Sequence, residues 1–236
     1  MSIYLDEKNP GKHKPFEDAS PDVVAYVRYL EVIAGKSANT AFSYYCDLRG
    51  FSRFMKRRRG LVPADCELKD IDPKGLDAAF WASVTKEDIY EYLYFLGSEC
   101  GNKKSSTARR LASLHGFYDY LVNQVNKLEA DPTAAIHPPK QDKVLPKYLT
   151  AEQSMDLLES TQFQSDFPER DYCMVVLFLN CGMRLAELVG MDLEDIDLEN
   201  RQIRLFGKGH KERMVYLNDA CMEALQLYLN KRNTME

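Results

Sequence analysis

Two short stretches of this 236-residue chain carry side chains whose types and spacing suit phosphate chemistry. In the first, Asn180-Cys181-Gly182-Met183-Arg184-Leu185-Ala186-Glu187-Leu188, a glycine closes an apolar helical run and an arginine opens the next helix. Gly182 is the expected stop, because a residue without Cβ adopts the left-handed cap at little cost. A cation at a helix start opposes the helix dipole, yet it is well placed to meet an anion beside free backbone N–H groups. The plain alternative is a surface arginine that caps a neighbour. In the second stretch, Arg204 to Leu217, two strand-like runs flank Gly207-Lys208-Gly209. A lysine at the tip of a glycine-flanked hairpin can swing into a phosphate site and offer a proton.

Two cation clusters stand earlier in the chain. Lys103-Lys104-Ser105-Ser106-Thr107-Ala108-Arg109-Arg110 opens a helix with hydroxyls, cations and free N–H groups, which suits gripping a phosphate. Lys56-Arg57-Arg58-Arg59 ends another helix, where four cations also simply match the helix dipole.

The Arg184 and Lys208 stretches together resemble the tyrosine recombinase (phage integrase) family, its Xer-type members most closely. That family's run is Thr-Gly-Leu-Arg-x-Ser-Glu-Leu, followed by a hairpin Gly-Lys-Gly-x-Lys-x-Arg-x-Val-Pro-Leu. The order Asn39-Thr40-x3-Tyr44-x2-Asp47-Leu48, then Ser106-Thr107-x-Arg109-Arg110-Leu111, is similar to the family's N-terminal core-binding domain. The resemblance implies DNA strand exchange in which a tyrosine phenolate attacks a backbone phosphate and forms a 3′-phosphotyrosyl bond. Arginines, rather than a metal or other cofactor, would neutralise the pentavalent transition state. Arg184 would be the first of them and Lys208 the general acid toward the departing 5′ oxygen. Glu187 would be the acidic helper that orients Arg184 or a later base, with an exposed helix carboxylate as the plain alternative. The same resemblance implies DNA contacts from Asn39, Thr40, Ser43, Tyr44, Lys103, Lys104, Ser106, Thr107, Arg109, Arg110, Lys211 and Arg213. The implied partners are a double-stranded recombination site and further recombinase protomers.

The sequence departs from the family pattern in three places. Cys181 and Ala186 stand where Thr and Ser are usual, and Tyr216 stands where the hairpin has Pro. The family's His-x-x-Arg box and nucleophilic tyrosine belong well beyond the hairpin, whereas only 28 residues follow Lys208. His210-Lys211-Glu212-Arg213 fits the box formally, but those residues are the hairpin itself. Tyr228 sits among leucines at core spacing and reads as packing. The expectation is a truncated enzyme carrying the DNA clamp and the Arg/Lys half of the centre. An inactive DNA-binding regulator and a helical protein-interaction module are the alternatives, and salt-sensitive DNA affinity separates the last from the others.

The elements that must position these residues are mainly helical. Residues 1–19 read as a flexible arm, 20–125 as a four-helix core-binding (SAM-like) bundle, and 126–149 as a proline-rich linker. Residues 150–236 read as the first part of a catalytic domain, mixed α with a small three-stranded antiparallel sheet. Ser20-Pro21 starts a helix with Val23, Val24, Val27, Leu30 and Ile33 inward, and Ser37 caps a second helix from Ala38 to about Arg59. Thr85-Lys86-Glu87-Asp88 is a capping box for a helix to Ser98, and a fourth helix runs from Ser105 or Ser106 to about Asn123. Between them, residues 60–84 read as irregular apart from a turn near Ala78–Trp81.

At 45% apolar and 28% charged, the composition is that of an ordinary soluble protein, with no run that could span a bilayer. A cytoplasmic location without a membrane partner is expected, since the start carries no signal peptide. The six cysteines show no metal-ligand spacing and read as reduced small hydrophobes. A net charge of −5 makes distribution matter more than sum. Residues 1–140 carry 20 Lys+Arg against 19 Asp+Glu, and the remainder 11 against 17, so DNA binding must rest on local clusters.

Overall fold

The computed structural model describes residues 16, 18–63, 65–140, 145–207 and 211–233. The chain divides into two compact units, residues 1–143 and 144–236, each with its own core. The architecture is mainly helical with one small antiparallel sheet. Among the described residues, no helix is long and apolar enough to cross a membrane.

In the first unit, α1 (Pro21–Val32) starts on Ser20 with proline at its first position and buries Val23, Tyr26, Val27 and Leu30. That spacing of three and four residues is one helix face. Ser37 caps α2 (Ala38–Arg58), its hydroxyl accepting the Thr40 N–H at 3.3 Å. The short α3 (Ala78–Ala82) is the turn expected near Ala78–Trp81, and it drives Trp81 fully into the core. There the indole meets Phe117 edge-on, with ring centres 5.0 Å apart. The capping box of α4 (Lys86–Ser98) forms as read, Thr85 and Asp88 exchanging hydrogen bonds. Helix α5 (Lys104–Asp119) begins one residue earlier than expected, and a π-helical turn, Tyr120–Gln124, extends it to the expected end.

Two expectations about this unit change. The stretch from residue 126 does not leave the unit at once, because Leu128, Thr133 and Ile136 are all buried, the two apolar ones in the first core. Leu128, ahead of Pro132, and Ile136, between Pro132 and Pro138, hold that stretch against the bundle, with turns at residues 132–135. The Lys56–Arg59 cluster is committed inside the unit. Arg58 and Arg59 both bind Asp88, at 2.9 and 2.6 Å, Arg57 lies over the Phe95 ring, and Lys56 meets the Lys74 carbonyl.

In the second unit, α6 (Ala151–Gln164) opens with a Thr150/Gln153 capping box and packs on α7 (Pro168–Cys181), which also packs on α9 (Asp219–Asn233). Between α7 and α9 the chain makes the five-residue α8 (Leu185–Val189), then β1 (Ile196–Asp197), β2 (Gln202–Phe206) and β3 (Glu212–Tyr216). The sheet is ordered β1-β2-β3, all antiparallel, with Ile203 opposite Val215 and Leu205 opposite Arg213. Alternation buries Ile203 and Leu205 and turns Arg204 and Phe206 outward. The register therefore puts Arg213 and Val215 on the core face of β3.

Candidate functional site

The end of α7 and the start of α8 make the framework around Arg184. Gly182 lies in the left-handed region (φ 56°, ψ 38°) and its N–H returns to the Phe178 carbonyl at 3.2 Å, which closes α7. Met183 then drops into the second core, and Arg184 occupies the N-cap position of α8 in extended conformation. Three residues on, Glu187 turns back beneath it. The Glu187 carboxylate accepts the Arg184 backbone N–H at 2.8 Å, Arg184 Nη1 at 2.7 Å and Arg213 Nη2 at 2.8 Å. Arg213 Nη2 also donates to the Gly182 carbonyl at 3.1 Å, which ties the sheet to the cap.

The Glu187 side chain is 1% exposed while the Arg184 side chain is 74% exposed. A buried carboxylate thus anchors an arginine that faces solvent. Hydrogen bonds from Arg213, from the Arg184 N–H and from the Arg184 guanidinium pull the Glu187 carboxyl down to about 2 against the cost of burying it. Glu187 is accordingly an internal anchor rather than an exposed helix carboxylate. One expectation about this helix start is corrected, because the Arg184 N–H is already taken by Glu187 and is not open to an outside anion.

The hairpin base meets the same group. A Cβ at Gly207 would stand 3.4 Å from Glu187 Oε1 and 4.0 Å from Arg184 Nη1, so the chain passes close over the ion pair there. Gly207 N–H closes the turn on the Lys211 carbonyl at 2.8 Å, and Lys211 is exposed. Lys208, with Gly209 and His210, lies outside the described residues. Arg213, read from sequence as a DNA contact, donates to Glu187 from the core face of β3 and keeps its side chain 40% exposed. Tyr228 packs against the second core.

The other residues read as DNA contacts lie on α2 and α5 of the first unit. Asn39 and Ser43 are exposed one turn apart, with Thr40 and Tyr44 half-buried beside them. Tyr44 lies against α5 at Gly116, where a Cβ would collide with the Tyr26 hydroxyl. At the start of α5, Lys103, Lys104 and Arg109 are exposed and Ser106 is half-buried. Thr107 is buried, with its hydroxyl donating back to the Lys103 carbonyl at 3.4 Å, and the Arg110 side chain is only 10% exposed. Helix periodicity explains both, since residues 107, 110, 111 and 114 fall on the face that packs inward. The two motifs, weak when taken singly, are joined by a residue not singled out as functional. Asp47 of α2, 4% exposed, accepts Arg109 Nη1 at 2.5 Å and Nη2 at 2.9 Å. It also accepts the Ser113 hydroxyl at 2.6 Å. The signal available in the sequence was Arg109 and Ser113 four residues apart on one helix face.

Residues 147–236 match the phage integrase family. The chain is 39% identical over 212 residues to a tyrosine recombinase XerC of Caldanaerobacter subterraneus subsp. tengcongensis, covering 90% of this chain and 59% of that protein. It is 33% identical over 214 residues to a tyrosine recombinase XerD of Halalkalibacterium halodurans, covering 90% and 65%. Among solved structures, the fold is similar to the XerH site-specific recombinase bound to a palindromic difH substrate, with TM-score 0.59 and 17% identity. That match covers 90% of this chain and 68% of XerH. A Tn1549 transposon integrase in complex with circular intermediate DNA matches with TM-score 0.52 and 20% identity, over 89% of this chain and 64% of that one. The second unit is thus a phage-integrase-family domain. The whole chain is similar to Xer-type tyrosine recombinases, and it spans about 59–65% of the length of those two curated relatives.

Proposed function

We propose that this chain binds double-stranded DNA at a recombination site and supplies the Arg184–Glu187–Lys208 part of a tyrosine recombinase centre. On this reading the nucleophilic tyrosine and the His-x-x-Arg box are contributed by sequence outside these 236 residues, in a protein that exchanges strands through a 3′-phosphotyrosyl intermediate. The first unit serves as the core-binding clamp, with Asn39, Thr40, Ser43, Tyr44, Lys103, Lys104, Ser106 and Arg109 toward the duplex. Lys211 adds a cation beside the hairpin.

The observation that carries this reading is the anchoring of exposed Arg184 by buried Glu187. A guanidinium is planar, stays charged at any working pH and presents five donors. With its inner edge held by a carboxylate and its side chain largely in solvent, it is preorganised for the equatorial oxygens of a phosphate. Lys208, the residue that follows Gly207 in the chain, would serve as general acid toward that phosphate. Further protomers would be needed to assemble a recombination complex.

Two measurements test the reading. Binding of a labelled duplex, followed by fluorescence anisotropy from 50 to 200 mM salt, is expected to weaken with a log–log slope of about 0.9 per phosphate contacted. Affinity indifferent to salt would instead favour a protein-interaction module. A nicked substrate that traps covalent intermediates, run on a denaturing gel, is expected to give no shifted band. A band that survives detergent would put the nucleophile inside this chain and make Tyr228 the first residue to replace.

A further inference from the structure

We infer that Asp47 is a positioning residue for DNA binding, fixing the Arg109 guanidinium and setting the register between α2 and α5. The inference rests on the DNA-binding reading above and adds a residue to it. A buried carboxylate is costly in an apolar helical bundle unless its lone pairs are met, and Asp47 is 4% exposed. Each hydrogen bond found at its oxygens comes from α5: the Arg109 fork at 2.5 and 2.9 Å and the Ser113 hydroxyl at 2.6 Å. Arg110, also on α5, adds its Nε charge at 3.6 Å.

The geometry separates Asp47 from an ordinary core ion pair. Both carboxylate oxygens are engaged by the two terminal nitrogens of Arg109, a paired arrangement that fixes the plane of the guanidinium and not only its distance. Arg109 nonetheless keeps its side chain 48% exposed. Both terminal nitrogens of the guanidinium are therefore held while much of the side chain stays in solvent, on the helix whose start carries the exposed Lys103 and Lys104. On α2, Asn39, Ser43 and Asp47 follow one another at intervals of four, so the outer polar stripe leads directly to the anchored carboxylate. Locking Asp47 to Arg109 and Ser113 holds that stripe and the start of α5 at one fixed offset. A duplex meeting both helices then meets a surface whose charges are already placed, which lowers the ordering cost of binding.

The test is a double-mutant cycle on the whole chain, read as the salt slope of duplex binding with thermal stability measured alongside. Arg109→Gln is expected to lower the log–log slope by about 0.9, the loss of one phosphate contact. Asp47→Asn is expected to lose a similar share, and the double variant no more than either single one. Additive losses, or tighter binding by Asp47→Asn than by the parent, would overturn the inference, the latter by showing that Asp47 only neutralises Arg109. Because Asp47→Asn could unfold the bundle, Arg109→Lys provides an independent arm. It keeps the charge but cannot engage both oxygens as a planar fork, so it is expected to lose most of what Arg109→Gln loses. Parent-like binding by Arg109→Lys would refute positioning. A parent chain with no salt-dependent affinity would fail earlier, by removing the DNA-binding reading itself.

Discussion

The start of α5 allows a prediction that counts charges, because four cations in eight residues look equivalent in sequence and are not equivalent in the fold. Lys103, Lys104 and Arg109 are exposed, whereas Arg110 is buried beside Asp47. Each phosphate contact contributes a log–log salt slope of about 0.9, or roughly 3.5-fold in affinity for a fourfold rise in salt. Replacing Lys103, Lys104 and Arg109 together with glutamine should therefore lower the slope by up to about 2.7, and reduce the affinity change between 50 and 200 mM salt by about 40-fold. Adding Arg110→Gln to that triple change should alter the slope by less than about 0.3, a third of one contact. Arg110→Gln alone should leave the slope intact and instead lower stability by about 1–3 kcal/mol, since it takes a charge from beside a buried carboxylate. Anisotropy titrations of one labelled duplex at five salt concentrations, paired with urea unfolding, measure both quantities. A slope that falls in four equal steps would refute the assignment of Arg110 to the interior. A slope unmoved by the triple change would place the DNA face elsewhere on the molecule.

Two further outcomes follow from the Arg184 framework. The Glu187 carboxyl should titrate near pH 2 rather than near its ordinary 4.5, so its stabilising contribution is complete above about pH 4.5 and is lost as pH falls toward 2. Carbon-detected NMR of the carboxyl reads the midpoint directly; Arg213→Gln should move it upward, and a midpoint near 4.5 in the parent would contradict the anchored geometry. Gly182→Ala should cost about 1–2 kcal/mol from left-handed backbone strain alone, because nothing lies within 4 Å of the added Cβ. A lowered urea midpoint with unchanged m-value is the expected signature, and no change in midpoint would mean that α7 can end without the left-handed cap.

Local chemistry alone determined much of this protein. Ser37, the Thr85/Asp88 and Thr150/Gln153 boxes, Pro21 and Gly182 set helix ends through bonds spanning only a few residues, and those elements stand where the sequence puts them. The Gly182–Arg184 turn and the strand–turn–strand were legible for the same reason. Even the inward direction of Arg213 had a signal, since it alternates in phase with Val215 and Leu217, which turn toward the second core. What the sequence could not decide was which carboxylate each cation answers. Arg109 meets Asp47 from 62 positions away, Arg59 meets Asp88 from 29, and Arg213 meets Glu187 from 26. A charged side chain reads the same in sequence whether it faces solvent, DNA or a buried partner. Only the packing of α2 on α4 and α5, and of the sheet on α8, sorts those cases, because desolvation makes a buried carboxylate take the nearest arginine whatever the chain distance.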